Sequence, residues 1–145
     1  MKKYKTNSAA ETKKLASEIL GLLKGGEVLG LIGELGAGKT VFVQGLAEAL
    51  GIKEIVNSPT FVLMKIYQAS NQQSAINKLI HVDAYRLSDS QELKDIGLDE
   101  YLSQKGTLVI IEWADKVKDL LPQNLLMIKF ELGHNESQRI IHVDG

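Results

Sequence analysis

VLGLIGELGAGKT, Val28 to Thr40, joins an apolar run to a glycine-rich loop. Its last eight residues, Gly33 to Thr40, fit G-x-x-x-x-G-K-[ST]. Ahead of the loop, Val28–Ile32 reads as a buried strand. Behind it Phe42, Leu46, Ala49 and Leu50 fall on one helical face, and Gly51 stops the helix. The motif therefore lies between strand and helix, the context its mechanism needs. A chance match somewhere in a chain of this length is on the order of half a percent at average residue usage.

Phosphates need hydrogen-bond donors, positive charge and close approach. Glycine lets the backbone approach, so its N–H groups can surround a phosphate. A helix starting near Gly38 adds its positive end. Lys39 is placed to reach the terminal phosphates, and the Thr40 hydroxyl to bind Mg²⁺.

Working outward, Ser8 and Glu11 have capping-box spacing. Leu15, Ile19, Leu22 and Leu23 follow at helical spacing, and Gly25-Gly26 ends that helix. Ile55-Val56 reads as a short strand and NSPT (Asn57 to Thr60) as a turn. Phe61–Tyr67 and Lys78–Leu87 read as strands around an exposed polar loop, QASNQQSAIN. Ser88 and Gln91 are spaced to cap a short helix ending near Gly97. TLVIIEW, Thr107 to Trp113, is the continuous apolar run of a central strand covered on both faces. Leu125–Leu132 and Arg139–Val143 suggest a final hairpin. Early alternation of helix and strand with later hairpins points to an α/β fold with a mixed sheet.

Composition narrows the function. The chain has 145 residues, a length that suits one domain, and a net charge of −1. That charge lacks the basic excess of a stand-alone nucleic-acid binder. There is no cysteine, which excludes disulfides, thiolate zinc sites and cysteine nucleophiles. The basic N-terminus is followed by no apolar core, and no apolar run reaches the ~20 residues of a membrane span. A soluble cytoplasmic protein is expected.

A nucleotide-bound Mg²⁺ wants a carboxylate at the carboxyl edge of the sheet. Glu112 follows the run Leu108–Ile111. In LIHVDAYR, period two puts His81, Asp83 and Tyr85 on one face and Ile80, Val82 and Ala84 on the other. One acid is suited to holding the metal and the other to orienting or deprotonating a water; these residues alone leave the assignment open. His81 reads as a structural or hydrogen-bonding group rather than a base. Arg86 is a nearby ion-pair partner for Asp83, and Trp113 reads as core or partner surface. Ser58-Pro59-Thr60 sits where nucleotide switches sense the γ-phosphate, and equally reads as an ordinary proline turn.

Two arginines, Arg86 and Arg139, are too few for a mobile Arg-rich lid of the kind small-molecule kinases close over their substrates. Asn77-Lys78 begins an N-K-x-D pattern, but Ile80 occupies the Asp position, so guanine readout is not expected. A slow ATPase or ATP-dependent switch remains. A small-molecule kinase, or a binding module in which hydrolysis is incidental, is the alternative.

Taken together, GELGAGKT, NSPTF, HVDAYRL and IIEW, in this order, resemble the TsaE family, the bacterial P-loop ATPase of tRNA threonylcarbamoyladenosine biosynthesis. The resemblance spans nearly the whole chain. It implies a single small P-loop NTPase domain with a mixed sheet flanked by helices. It implies that Leu35, Gly36, Ala37, Gly38, Lys39, Thr40 and Val41 hold ATP, that Thr40 and Glu112 coordinate Mg²⁺, and that Asp83 assists hydrolysis. Ser58, Pro59 and Thr60 become the nucleotide-sensing loop, and Trp113, with Tyr85 and Arg86, a site or interface group. The implied partners are the threonylcarbamoyl transferase and its paralogous partner, TsaD and TsaB, with tRNA reached through that complex. Val41 stands where the family often has a second threonine, and Ala114 where it often has proline. No motif marks the adenine pocket; Ala9, Thr12, His134 and Asn135 are the expected contacts.

Overall fold

The computed structural model describes residues 2–34, 36–59, 62–70, 74–102, 104–122 and 125–145. Leu35, Thr60 and Phe61, all singled out above, lie outside the described residues. The elements are β1 (Lys2–Thr6), α1 (Ala9–Leu20), β2 (Val28–Ile32), α2 (Lys39–Ala49), β3 (Met64–Gln68), β4 (Lys78–Asp83), α3 (Gln91–Asp95), β5 (Thr107–Glu112), β6 (Leu126–Leu132) and β7 (Arg139–Asp144). Short 3₁₀ segments cover Leu98–Glu100 and Ala114–Leu120. The strands form one seven-stranded sheet in the order β1-β7-β6-β2-β5-β4-β3. β6, β2, β5 and β4 run parallel at its centre, with antiparallel pairs at both edges. This is the mixed α/β sheet expected. Among the described residues no helix is long and apolar enough to cross a membrane.

Strand alternation sorts the core into two layers. Leu29, Leu31, Leu79, Leu108 and Ile110 face α1 and α2, where they meet Leu15, Ile19, Phe42 and Leu46. Val28, Ile80, Val82, Val109 and Ile111 face the other way, onto Leu93, Leu98 and Val117. The helices of the first layer lie unusually close: a Cβ on Gly45 would come within 2.7 Å of the Lys13 backbone.

α1 starts as its capping spacing requires, with the Glu11 N–H donating to Ser8 Oγ at 3.1 Å. It ends at Leu20, so Leu22, expected on the core face, is 78% exposed instead. Ile55-Val56 is not a strand. Only Val56 enters the core, held by Gln44 Nε2 donating to its carbonyl at 2.9 Å. β3 begins at Met64, after Leu63 takes a left-handed φ of 66°. β4 stops at Asp83 rather than Leu87, because the Asp83 carboxylate accepts from the Tyr85 N–H at 2.9 Å and turns the chain. The short helix is α3, but its Ser88 pairs with Glu92, at 2.7 Å, and not with Gln91.

Nothing in the pattern of KKYKT announced β1. Its lysines Lys2, Lys3 and Lys5 are exposed, Tyr4 leans on the core and Thr6 is buried. Main-chain pairing with β7, Tyr4 opposite Ile141, makes it a strand, and lysines along an outer strand discourage further pairing.

Candidate nucleotide site

The parallel strands bring their carboxyl ends to one edge, and the chemically distinctive side chains collect there. At the end of β2, Gly33 has no room for a side chain: a Cβ would sit 2.9 Å from the Phe130 carbonyl. Gly36 (φ 80°) and Gly38 (φ 104°) take left-handed conformations that other residues resist. Gly38 is the N-cap of α2, and no side chain caps it. The first-turn N–H groups of an α-helix have no partner within the helix, so this end offers donors and the positive end of the dipole.

Lys39 opens α2 with only 5% of its surface exposed. Its ammonium donates to the Gly33 carbonyl and, at 2.9 Å, to the Glu34 carbonyl. It also lies 4.3 Å from the centroid of the Trp113 ring. Desolvation lowers the Lys39 pKa, while Glu112, Asp83, Asp115 and Glu34 oppose the shift and favour the cation. Trp113 reaches this position through a left-handed backbone, φ 61°, a conformation that costs about 1–3 kcal/mol outside glycine. Its ring packs on Tyr85 at 4.9 Å, and Lys116 covers the Tyr85 ring at 5.0 Å.

A chain of oxygen contacts runs beneath the loop. Thr40 Oγ1 and Ser58 Oγ are 2.8 Å apart. Ser58 Oγ donates to Glu112 Oε2 at 2.8 Å, and His81 Nε2 lies 2.5 Å from the same oxygen. Register explains the convergence: Asp83 on β4 is paired directly with Glu112 on β5, and both side chains share the α2-facing side with His81. Asp83 and Glu112 are 4% and 2% exposed.

These groups line a cavity of about 490 Å³. Of the residues expected from sequence, Gly36, Gly38, Lys39, Thr40, Val41, Ser58, Asp83, Tyr85, Glu112 and Trp113 line it. Ala37 is buried beneath the loop, and Arg86 is exposed and lies off the lining. Ala9 and Thr12 line the cavity too, with the Thr12 hydroxyl engaged by Thr6 at 2.7 Å. His134 and Asn135 do not line it. Asn135 Oδ1 instead accepts from the Ser137 and Gln138 N–H groups, which turns Glu136 and Ser137 toward the cavity in their place.

Arg139 is the residue that sequence reasoning missed. It stands at the start of β7, yet its Nη2 donates to the Gly36 carbonyl at 3.1 Å, and its stem lies 3.6 Å from where a Gly38 Cβ would be. Its Nη1 donates to the carbonyls of Glu136 and Gln138 at 2.7 and 2.9 Å. One guanidinium thus ties the glycine loop to the last hairpin. No signal near residue 139 could have announced a contact with residue 36.

Comparison with known proteins bears on the same arrangement. A family model described as "Threonylcarbamoyl adenosine biosynthesis protein TsaE" matches residues 6–141. The tRNA threonylcarbamoyladenosine biosynthesis protein TsaE of Bacillus subtilis is 41% identical over 138 residues, covering 95% of this chain and 82% of the relative. The protein of the same name from Aquifex aeolicus is 42% identical over 120 residues, covering 81% and 80%. The crystal structure of Bacillus subtilis YdiB superposes with a TM-score of 0.77 at 36% identity, covering 97% of this chain and 82% of that one. The match runs from Thr6 of β1 to Ile141 of β7, so it takes in both the glycine loop and the hairpin that Arg139 ties to it. The chain belongs to the TsaE family of tRNA threonylcarbamoyladenosine biosynthesis proteins.

Proposed function

We propose that this protein binds ATP with Mg²⁺ and hydrolyses it slowly, and that the cycle serves the threonylcarbamoyl transferase and its partner, TsaD and TsaB. One observation carries the reading: Lys39, the Thr40–Ser58–Glu112 chain and Asp83 converge in a single cavity at the carboxyl ends of β2, β4 and β5.

The residues fit the cation. Thr40 and Ser58 present hydroxyls and Glu112 a carboxylate, the hard oxygen donors that Mg²⁺ takes alongside phosphate and water. Thr40 and Glu112 would hold it. Bound there, Mg²⁺ would neutralise charge on the β- and γ-phosphates.

The chain's own groups do the rest. Lys39 exchanges the Gly33 and Glu34 carbonyls for phosphate oxygens, so binding replaces one set of charge-assisted bonds with another. Asp83 orients the attacking water. Water oxygen bonds to the γ-phosphorus, the bond to the β–γ bridging oxygen breaks, and the water's proton passes to Asp83. Ser58 lies between Thr40 and Glu112, so it responds to whatever enters there. Pro59 restricts its loop.

The two acids should separate in experiment. Glu112→Ala is expected to weaken the effect of Mg²⁺ on ATP binding and to lower turnover about 10²-fold, the scale of removing one preorganised charge. Asp83→Asn should keep ATP and Mg²⁺ binding and lose turnover by about 10²–10⁴-fold. Nucleotide titrations with and without Mg²⁺, beside phosphate release, check both; an Asp83→Asn variant with normal turnover removes Asp83 from the chemistry.

Arg139→Met should weaken ATP binding about tenfold, or ~1.4 kcal/mol, by freeing the Gly36 carbonyl and the hairpin from each other. Calorimetric titration reads this directly, and unchanged affinity makes the tether incidental.

The overall reading is tested by phosphate release from ATP, alone and with the TsaD–TsaB complex added. Slow release alone, altered by the complex, supports the partner-coupled cycle. Release that ignores the complex leaves an ATPase without that coupling.

A further inference from the structure

His81 is a buried titratable group that the chemistry above does not use. It is fully enclosed, in the middle of a central strand. Its Nε2 makes one contact, 2.5 Å to Glu112 Oε2, and its Nδ1 is buried with no hydrogen-bond partner among the described residues. Packing alone does not account for a histidine here. An apolar side chain of similar size would fill the space without stranding a polar atom.

The geometry at Glu112 supplies the reason. Both of its side-chain hydrogen bonds, from Ser58 and with His81, fall on Oε2. Oε1 has no hydrogen bond to a described residue, and Glu112 lines the cavity. The terminal torsion of a glutamate is soft, so one contact leaves the carboxylate free to rotate. Ser58 is also bonded to Thr40, and a cation held by Thr40 and Glu112 would disturb that link. His81 stands on a strand paired along its whole length and keeps its hold whatever Ser58 does.

We infer that His81 is a positioning residue: it donates Nε2–H to Glu112 Oε2 and so presents Oε1 to the cation of the bound nucleotide. Outer-shell partners of this kind typically carry 10–100-fold in metal affinity or activity. The inference rests on the ATP·Mg²⁺ reading above.

Two amides test it. His81→Gln extends a donor to about the reach of Nε2, and His81→Asn stops one carbon short. The full-length chain is melted alone, with ATP and EDTA, and with ATP and Mg²⁺. The Mg²⁺ concentration giving half-maximal turnover at saturating ATP is measured beside it. ATP with EDTA should stabilise wild type and both variants alike. The further stabilisation by Mg²⁺ should persist in His81→Gln and shrink in His81→Asn. The half-saturating Mg²⁺ of His81→Asn should rise about 10–100-fold.

A His81→Asn variant with wild-type Mg²⁺ dependence overturns the role, and so does equal loss in both amides, since neither outcome follows the reach of the donor. If His81→Asn does not fold, His81→Met, of similar volume and without a donor, takes its place under the same criteria. A wild-type chain that ATP fails to stabilise with or without Mg²⁺ overturns the nucleotide reading itself, a result distinct from either.

Discussion

Lys39→Ala is expected to lower phosphate release from ATP about 10²–10³-fold, or ~2.7–4 kcal/mol, while the chain stays folded. The size follows from what the ammonium faces. It is nearly buried, beside Glu112 and Asp83, at the head of a helix whose N-cap, Gly38, lines the same cavity. A charge fixed in a site sheltered from water acts on developing phosphate charge far more strongly than one in solvent. The fold should survive because the bonds of Lys39 go to two loop carbonyls, not to the core. Alanine also suits a helix start, and the truncation removes a desolvated charge. Phosphate release and a circular-dichroism melt, run on the same preparation, check both halves. Normal turnover in a folded Lys39→Ala chain would sink the assignment of the glycine loop.

Phe42→Ala should have the largest effect on stability, about 3–5 kcal/mol. Phe42 is wholly buried one turn after Lys39, and its ring meets Phe130 edge-on at 5.5 Å and 73°. The contact fastens α2 to β6, and the Phe130 carbonyl is the atom that leaves Gly33 no room for a side chain. A cavity here loosens the helix and the entry to the loop together. In a chain of this size such a loss lowers Tm by about 10–16 °C. Urea unfolding should show a lower midpoint at unchanged slope. A loss under about 1 kcal/mol would mean that the ring does not anchor α2.

Much of the frame is legible in the sequence. Val28–Ile32 and the helix after the loop came from apolar periodicity and the glycines around it, and β5 from an unbroken apolar run. Period two placed His81 and Asp83 on the face opposite Ile80 and Val82, and the sheet keeps them so. These readings are local: each depends on residues within one or two turns of each other. They slipped where a side chain overruled the local pattern. The Asp83 carboxylate turned the chain after β4, and Leu22 continued an apolar spacing past the end of α1.

The family was likewise legible, because ordered motifs survive in the sequence whatever their distances in space. What tertiary structure alone decided is which of the motifs touch. KKYKT is a strand only because β7 lies beside it. Glu112 meets His81, Ser58 and, through Ser58, Thr40 because parallel pairing aligns the ends of β4 and β5 beneath α2. Arg139 reaches Gly36 across 103 residues because the last hairpin packs beside β2. Periodicity is a property of neighbours along the chain and is written in the sequence. Register between distant strands is set by the packing of the whole core, and that packing assembles this site.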